Sequence, residues 1–236
     1  MHDIEEDPEE IIKDEVRKAY DSIASDFALK RKHLWAPTKM FIDEVSPCRL
    51  ADLGCGTGRA LSYALNKGCT VIGLDSSRSQ LDETRDRLQK EGADSSRYTL
   101  IECDLEEIPL YEGSVDNALM IASLHHLPTR QRRLNALKQA GRITKEGGRV
   151  QISVWSWDQD RFRGRYISLL QGKRDKDGLD GPNPGDLLVP WKEKTPVFRF
   201  YHLYGPGELE EEIRRSGWVT IRSFFDGRNH WVEAER

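Results

Sequence analysis

The sequence predicts an α/β fold: a doubly wound, mostly parallel sheet with an antiparallel last strand and helices on both faces. Three observations carry that expectation. Short apolar runs alternate with helix-period segments from Arg49 to Trp157, the rhythm of successive strand–helix–strand units. The first run, Leu50-Ala51-Asp52-Leu53, passes into the glycine-dense turn Gly54-Cys55-Gly56-Thr57-Gly58 and then into a helical pattern. After residue 207 a short helix is followed by two closely spaced strands, Trp218 to Phe225 and His230 to Ala234.

Taken in order, the 236 residues form one domain in four sections. In 1–48, Met1 to Glu10 is mostly acidic and reads as a frayed tail. Ile12, Val16 and Tyr20 then mark a helix face. The basic, aromatic run Lys30 to Trp35, with Pro37, suggests a segment folded over something. Section 49–157 is the core. Its strands are Arg49–Asp52, Thr70–Asp75, Tyr98–Ile101, Val115–Ile121 and Arg149–Trp155. Between them, helices bury Leu61, Ala64 and Leu65, then Leu81 and Leu88, then Leu134, Leu137 and Ile143. In 158–207 the rhythm breaks: arginines at 161, 163 and 165 precede a Gly/Pro/Asp/Lys-rich tract, Gly172 to Gly185, expected to be a mobile loop. In 208–236, Leu209 and Ile213 face inward on a helix that stops at Gly217, before the last strand pair.

Hydrophobic residues make up 37% and charged residues 32%. Mean hydropathy is -0.67, and no run approaches the ~20 apolar residues that span a bilayer, so no membrane is expected. The acidic N-terminus lacks a signal peptide's apolar core. Four cysteines without CxxC spacing fit reduced thiols in a cytoplasmic protein and no metal site. The net charge of -4 gives no general attraction to nucleic acid, though local patches decide that question.

The chemistry gathers at predicted strand ends, where open α/β sheets bind ligands. The spacing Gly54-x-Gly56-x-Gly58, with Asp52 before it, differs from the dinucleotide fingerprint, whose last glycine lies two residues further on. It reads as a site for S-adenosyl-L-methionine (SAM). Gly54, Cys55, Gly56 and Gly58 form the turn, and Asp52 lies near the ligand's ammonium. Asp75, followed by Ser76, faces the ribose hydroxyls. Asp104 and Leu105 take the adenine, while Ser123 and Leu124 lie beside the reactive methyl. Each acid alone would more often be a cap or a surface charge; it is the register with four strand ends that is specific.

Over Arg49 to Trp157 the chain resembles the class I SAM-dependent methyltransferases, with their Rossmann-like sheet. A narrower resemblance is to the tRNA wobble-uridine methyltransferases that esterify 5-carboxymethyluridine, among them the methyltransferase half of an AlkB-homologue fusion. It rests on Tyr20-Asp21-Ser22-Ile23-Ala24, Phe27-x-x-x-Arg31-x-x-x-Trp35, Leu124-His125-His126, Val154-Trp155, Val189-Pro190-Trp191, Arg199-Phe200-Tyr201-His202-Leu203, Gly207-Glu208-Leu209 and Asn229-x-Trp231. One departure is Lys32-His33-Leu34, where the family usually has Tyr-Lys-Pro. The resemblance implies a tRNA anticodon loop as substrate. It also implies a heterodimer with a small zinc-binding activator protein, which would pair at the third strand, Tyr98 to Ile101.

A free carboxylate, with a pKa near ~4, is already an anionic nucleophile at neutral pH, so its methylation needs placement and no general base. The candidates at the reaction are Arg31, Arg199, Tyr201 and His125, the histidine as a hydrogen-bond donor. Trp35, Trp155, Trp191 and His202 are candidates to hold the substrate, since single-stranded RNA is read largely by stacking. Plainer readings stand beside these: His125-His126 as backbone caps, Trp155 as core, Arg161, Arg163 and Arg165 as a phosphate track or a solvated helix face. The alternative function is a small-molecule O- or C-methyltransferase with His125 or His126 as base. A third is a non-catalytic scaffold of the same fold.

Overall fold

A computed structural model describes residues 7–171, 173, 178, 180–181, 183–191 and 196–236. In chain order the elements are α1 (Pro8–Lys30), α2 (Ala36–Val45), β1 (Arg49–Leu53), α3 (Arg59–Asn66), β2 (Thr70–Asp75), α4 (Arg78–Lys90), β3 (Tyr98–Glu102) and β4 (Asn117–Ile121). They continue with α5 (Arg130–Ile143), β5 (Arg149–Trp155), α6 (Asp160–Leu170), β6 (Asp186–Trp191), β7 (Val197–His202), α7 (Glu208–Arg215), β8 (Val219–Phe225) and β9 (Asn229–Glu235).

The main sheet has the order β3-β2-β1-β4-β5-β9-β8. β1 to β5 pair in parallel, and β9 runs antiparallel to both β5 and β8. The chain winds outward from β1 to β3, returns to β4 on the other side of β1, and then winds the opposite way. The crevice between β1 and β4 is therefore the switch point where such sheets bind ligands. Alternating side chains divide the core in two: Ala51 and Leu53 face α5 and α7, while Leu50 faces α2 and α3.

Local chemistry sets the helix starts. Asp7 caps α1 ahead of Pro8, the Ser77 hydroxyl accepts from Gln80 N–H at α4, and Thr129 caps α5. Across α5 and α7, buried Arg133 is bound to fully buried Glu212 at 2.9 Å, and the Tyr204 hydroxyl donates to the same carboxylate at 2.8 Å. All four cysteines are free.

The strands of the core fall where the pattern places them, β4 starting two residues later than Val115. Two features differ from the reading above, and a third accords with one of its two alternatives for the arginines. The segment from Tyr20 to Phe27 continues one long helix, α1, to Lys30. The residues after Trp35 form a second helix, α2, with Trp35 at its N-cap and Pro37 in its first turn. The arginines at 161, 163 and 165 lie on α6. Of the tract expected to be a mobile loop, residues 172, 174–177, 179 and 182 lie outside the described residues. Asp180 within it is 2.7 Å from Arg165. β6 and β7 form a separate antiparallel hairpin beside the main sheet. Among the described residues, no helix is long and apolar enough to cross a membrane.

Candidate active site

Above the switch point, the carboxyl ends of β1, β2, β4 and β5 meet α1 and the β7 strand around one cavity of about 470 Å³. Its first half is a cradle built on the glycine turn. Gly54 has φ +82°, and a Cβ there would sit 2.4 Å from Ser123 Cβ. Its N–H and that of Cys55 both donate to Leu74 O, at 2.8 and 2.9 Å, which locks the turn onto β2. Gly56 also has positive φ, and its N–H donates to Asp75 at 2.8 Å, while Ser77 N–H donates to the other oxygen at 2.9 Å. Ser123 Oγ in turn donates to Leu53 O at 2.7 Å. Ala122, just before it, is the one non-glycine residue with positive φ among the described residues, at 57°. Left-handed backbone at a non-glycine residue is sparse and concentrates at functional sites.

Two acids in this cradle are held away from water. Burial pushes the Asp52 carboxyl up to about 7; Arg59 draws it down and Asp75 pushes it further up. Burial likewise raises Asp75 to about 6, against the hydrogen bonds from Ser77 and Gly56. A cation brought to Asp52 would offset that cost. Asp104 is anchored differently. One oxygen accepts from Glu106 N–H at 2.8 Å and the other lies 2.5 Å from Lys13 Nζ of α1. Lys13 also reaches Glu106, which Arg132 binds together with Asp7, Glu9 and Glu10. The first turns of α1 are thereby strapped over this end.

The second half of the cavity is aromatic and cationic. Tyr201 stacks on Trp155 (4.4 Å, 23°) and on His125 (4.8 Å, 29°). Arg199, 3% exposed, donates to the Tyr201 hydroxyl at 3.0 Å and lies over the rings of Trp191, Tyr201 and Tyr20 at 5.0–5.7 Å. Its Nε has no hydrogen-bond partner, and no carboxylate lies within ion-pair distance among the described residues. His126 is locked as the Nδ1–H tautomer: that proton goes to Phe200 O and Nε2 accepts from the Tyr20 hydroxyl, both at 2.8 Å. Burial, helped by Arg199, lowers its pKa to about 3. His125 Nδ1 accepts the Trp155 N–H at 3.1 Å, so its proton is on Nε2, which is buried without a partner. Burial first, then His126 and Arg199, push the His125 pKa well down. Neither imidazole has a lone pair left to take a proton.

Most of the expected site residues line this cavity: Asp52, Gly54, Cys55, Gly56, Asp75 and Ser76 at the cradle, with Asp104, Leu105 and Ser123. Arg31, Trp35, His125, Trp155, Arg199 and Tyr201 line the other half. Four do not line it, and these placements correct the sequence reading. Gly58 caps α3 with φ +71°, where a Cβ would meet Thr84 at 2.6 Å, so it serves helix packing. Leu124 is fully buried in the core under the sheet. Trp191 stands behind Arg199, its indole N–H donating to Asp26 at 2.6 Å. His202 points away, held between Asp186 at 2.7 Å and Glu208 at 2.8 Å. The sequence reading of site residues missed Tyr20, Lys13 and Arg59. Positions 10, 13, 17 and 20 of α1 carry polar groups on one face that lines the cavity, a helical spacing that was available to find them.

Comparison with known proteins agrees with this geometry. Residues 50–148 match a family model described as a methyltransferase domain. Over 92% of its length the chain is 28% identical to the tRNA (carboxymethyluridine(34)-5-O)-methyltransferase alkbh8 of Xenopus tropicalis, but it spans only 40% of that relative. It is 26% identical to the Schizosaccharomyces pombe tRNA (carboxymethyluridine(34)-5-O)-methyltransferase, covering 94% of this chain and 96% of the relative. Among solved structures, Burkholderia thailandensis 1,6-didemethyltoxoflavin-N1-methyltransferase superposes with TM-score 0.70 at 19% identity, over 98% of this chain and 91% of that one.

The fold is that of the class I SAM-dependent methyltransferases, and residues 50–148 form a methyltransferase domain. Within that class its sequence is similar, over nearly its whole length, to the tRNA carboxymethyluridine methyltransferases. SAM is its cofactor, and the residues present fit it. The turn leaves backbone-only space at Gly56, where a Cβ would meet nothing nearer than 3.8 Å. Asp52 offers a buried carboxylate for an ammonium, and Asp75 and Asp104 keep acceptor lone pairs for hydroxyl and amino protons.

Proposed function

We propose that this protein methylates the carboxylate of 5-carboxymethyluridine, or a close derivative, at the wobble position of tRNA. The observation that carries the reading is Arg199: a buried guanidinium with no carboxylate beside it among the described residues, in the same cavity as the cofactor cradle. A desolvated, unpaired charge costs several kcal/mol, a cost that an anionic substrate offsets. The family resemblance and the names of the relatives support the same substrate.

SAM, when bound, supplies an electrophilic methyl group. The chain's own residues then have positioning work. Arg199 grips one carboxylate oxygen, which leaves the other free to attack. His125 Nε2–H donates to the substrate. Tyr20 and His126 hold each other and the Tyr201 ring fixed, Trp155 backs the Tyr201 ring, and Trp35 offers a face for an unstacked base. No group need remove a proton, in accord with two histidines that are neutral and occupied. The resemblance also supports a small zinc-binding activator as a heterodimer partner, and β3 is an unpaired edge where a partner strand adds.

Incubating the chain with SAM and tRNA that carries the free acid, with and without the activator, tests this. Mass spectrometry of the wobble nucleosides should show a methyl ester that mild alkali removes. Alkali-stable methylation, or none with the activator present, would overturn the reading.

A further inference from the structure

Three arginines on one helix behave differently. On α6, Arg163 is bound to Asp158 at 2.5 Å and Arg165 to Asp180 at 2.7 Å. Arg161 has no carboxylate within ion-pair distance among the described residues. Its guanidinium lies 4.5 Å from the centre of the Trp155 ring and 4.2 Å from that of Phe162. Trp155 is the ring against which Tyr201 stacks in the acceptor half of the cavity. Partial burial, and the nearby charges of Arg31, Arg199 and Arg228, work against the charge of Arg161. Arg31, on the rim, also lacks a carboxylate partner among the described residues and lies 5.8 Å over Trp191.

Arg161, Arg31 and Arg199 thus form a repelling cluster without a carboxylate partner among the described residues, although the chain carries 40 acidic residues against 36 basic ones. One carboxylate cannot satisfy three guanidinium groups, least of all if one of its oxygens must stay free to react. Arg199 is buried and sits deep among Tyr20, Tyr201 and Trp191, so it takes that carboxylate. Arg161 is exposed and lies beside the cavity lining, over the rings of Trp155 and Phe162. A guanidinium that has no carboxylate partner among the described residues keeps N–H donors for a bidentate oxyanion. Cations interleaved with aromatic rings on an exposed rim are the arrangement that tracks a single-stranded backbone.

We infer that Arg161 binds a phosphodiester of the RNA strand next to the target nucleotide, so that the cavity recognises two anions, the carboxylate at Arg199 and a backbone phosphate at the rim. This inference rests on the proposed function, and the test separates the two. Wild-type chain and the Arg161→Ala and Arg161→Met variants are compared, the latter keeping apolar contact with Trp155 and Phe162. Methylation kinetics and fluorescence-anisotropy binding are measured, with the activator present, on an anticodon stem-loop bearing 5-carboxymethyluridine, over a range of salt. The nucleoside 5-carboxymethyluridine, which has no phosphate, serves as a competitor.

Both variants should raise KM for the stem-loop about tenfold with kcat within twofold. The slope of log(kcat/KM) against log salt should become shallower by about 0.7, one single-strand phosphate contact. Inhibition by the nucleoside should be unchanged. Unaltered KM and slope would make Arg161 a solvated helix face and overturn the inference alone. A fall in kcat, or weaker inhibition by the nucleoside, would place Arg161 at the reacting group and overturn it too. Arg161-dependent binding of the stem-loop without methylation would overturn the proposed function and leave the phosphate site standing. If the stem-loop neither binds nor reacts, both fall.

Discussion

Lys13 Nζ lies 2.5 Å from Asp104 Oδ2, on a carboxylate that lines the cofactor cavity and that the sequence reading assigns to the adenine. One helix that begins in the acidic N-terminal section is therefore tied to the cofactor site. The same helix reaches the acceptor half seven residues on, where the Tyr20 hydroxyl meets His126. Removing Lys13 leaves Asp104 facing Glu106 without a shared cation, while Arg132 still holds the first turn of α1. Lys13→Ala should weaken S-adenosylhomocysteine binding about fivefold, ~1 kcal/mol. The wild-type affinity should fall with salt more steeply than the variant's, since a partly exposed pair is screened. Calorimetric titration at two ionic strengths measures both.

Asp52 gives a pH dependence whose sign can be worked out. Its pKa of about 7 in the free protein is raised by burial, and a bound ammonium favours the carboxylate. Below pH 7 binding must therefore release a proton, so Kd for S-adenosylhomocysteine should rise up to tenfold per pH unit, and be flat above 7. Below about 6, Asp75 adds a second proton and steepens the slope. Calorimetry in buffers of different ionisation heat counts the protons. For stability the sign is opposite to a paired acid's. The raised pKa is a penalty absent below the unfolded value of 3.8 and fully present above 7. Asp52→Asn should therefore raise the free protein's Tm at pH 8, lose that gain near pH 3.5, and bind cofactor poorly.

The cofactor half was legible in the sequence because its chemistry is local. A glycine turn and four strand ends are written in short, contiguous segments, and β1 to β5 follow from their apolar runs. The acceptor half is not local. Arg199 and Tyr201 on β7, Tyr20 on α1 and Trp155 on β5 meet only once the hairpin has packed, so their motif gave residue types but not partners. His202 shows the same limit. Its block marked it as important, yet its two carboxylate partners are 16 and 6 residues away, and no spacing says which way the ring turns. Trp191 belonged to the site, but behind the arginine instead of facing the substrate.

His202 should make the hairpin pH-sensitive. Burial disfavours its charged form, but the hydrogen bonds to Asp186 and Glu208 outweigh that and raise its pKa above 6.5. A raised folded pKa means stability that is complete below the unfolded value and lost as pH rises through the folded one. Hydrogen exchange of the β6 and β7 amides should therefore quicken, relative to β5, as pH climbs from 6.5 through the raised folded pKa, beyond the intrinsic rate increase. His202→Gln should remove that differential.

The buried pair Arg133–Glu212 sets the stability of the opposite face. Glu212 is fully buried and holds both the Arg133 guanidinium and the Tyr204 hydroxyl. Glu212→Ala leaves a cation at 3% exposure with only the more distant Glu208 carboxylate, 3.6 Å away, a change that costs about 3 kcal/mol. Removing both charges costs less, because the desolvation of the arginine goes with it, and Met fills much of the space along its stem. Urea unfolding should thus rank wild type above the Arg133→Met/Glu212→Leu double variant, and that above Glu212→Ala, with similar m-values throughout. A double variant no more stable than Glu212→Ala would mean that the energy lies in the Tyr204 hydrogen bond and not in the ion pair.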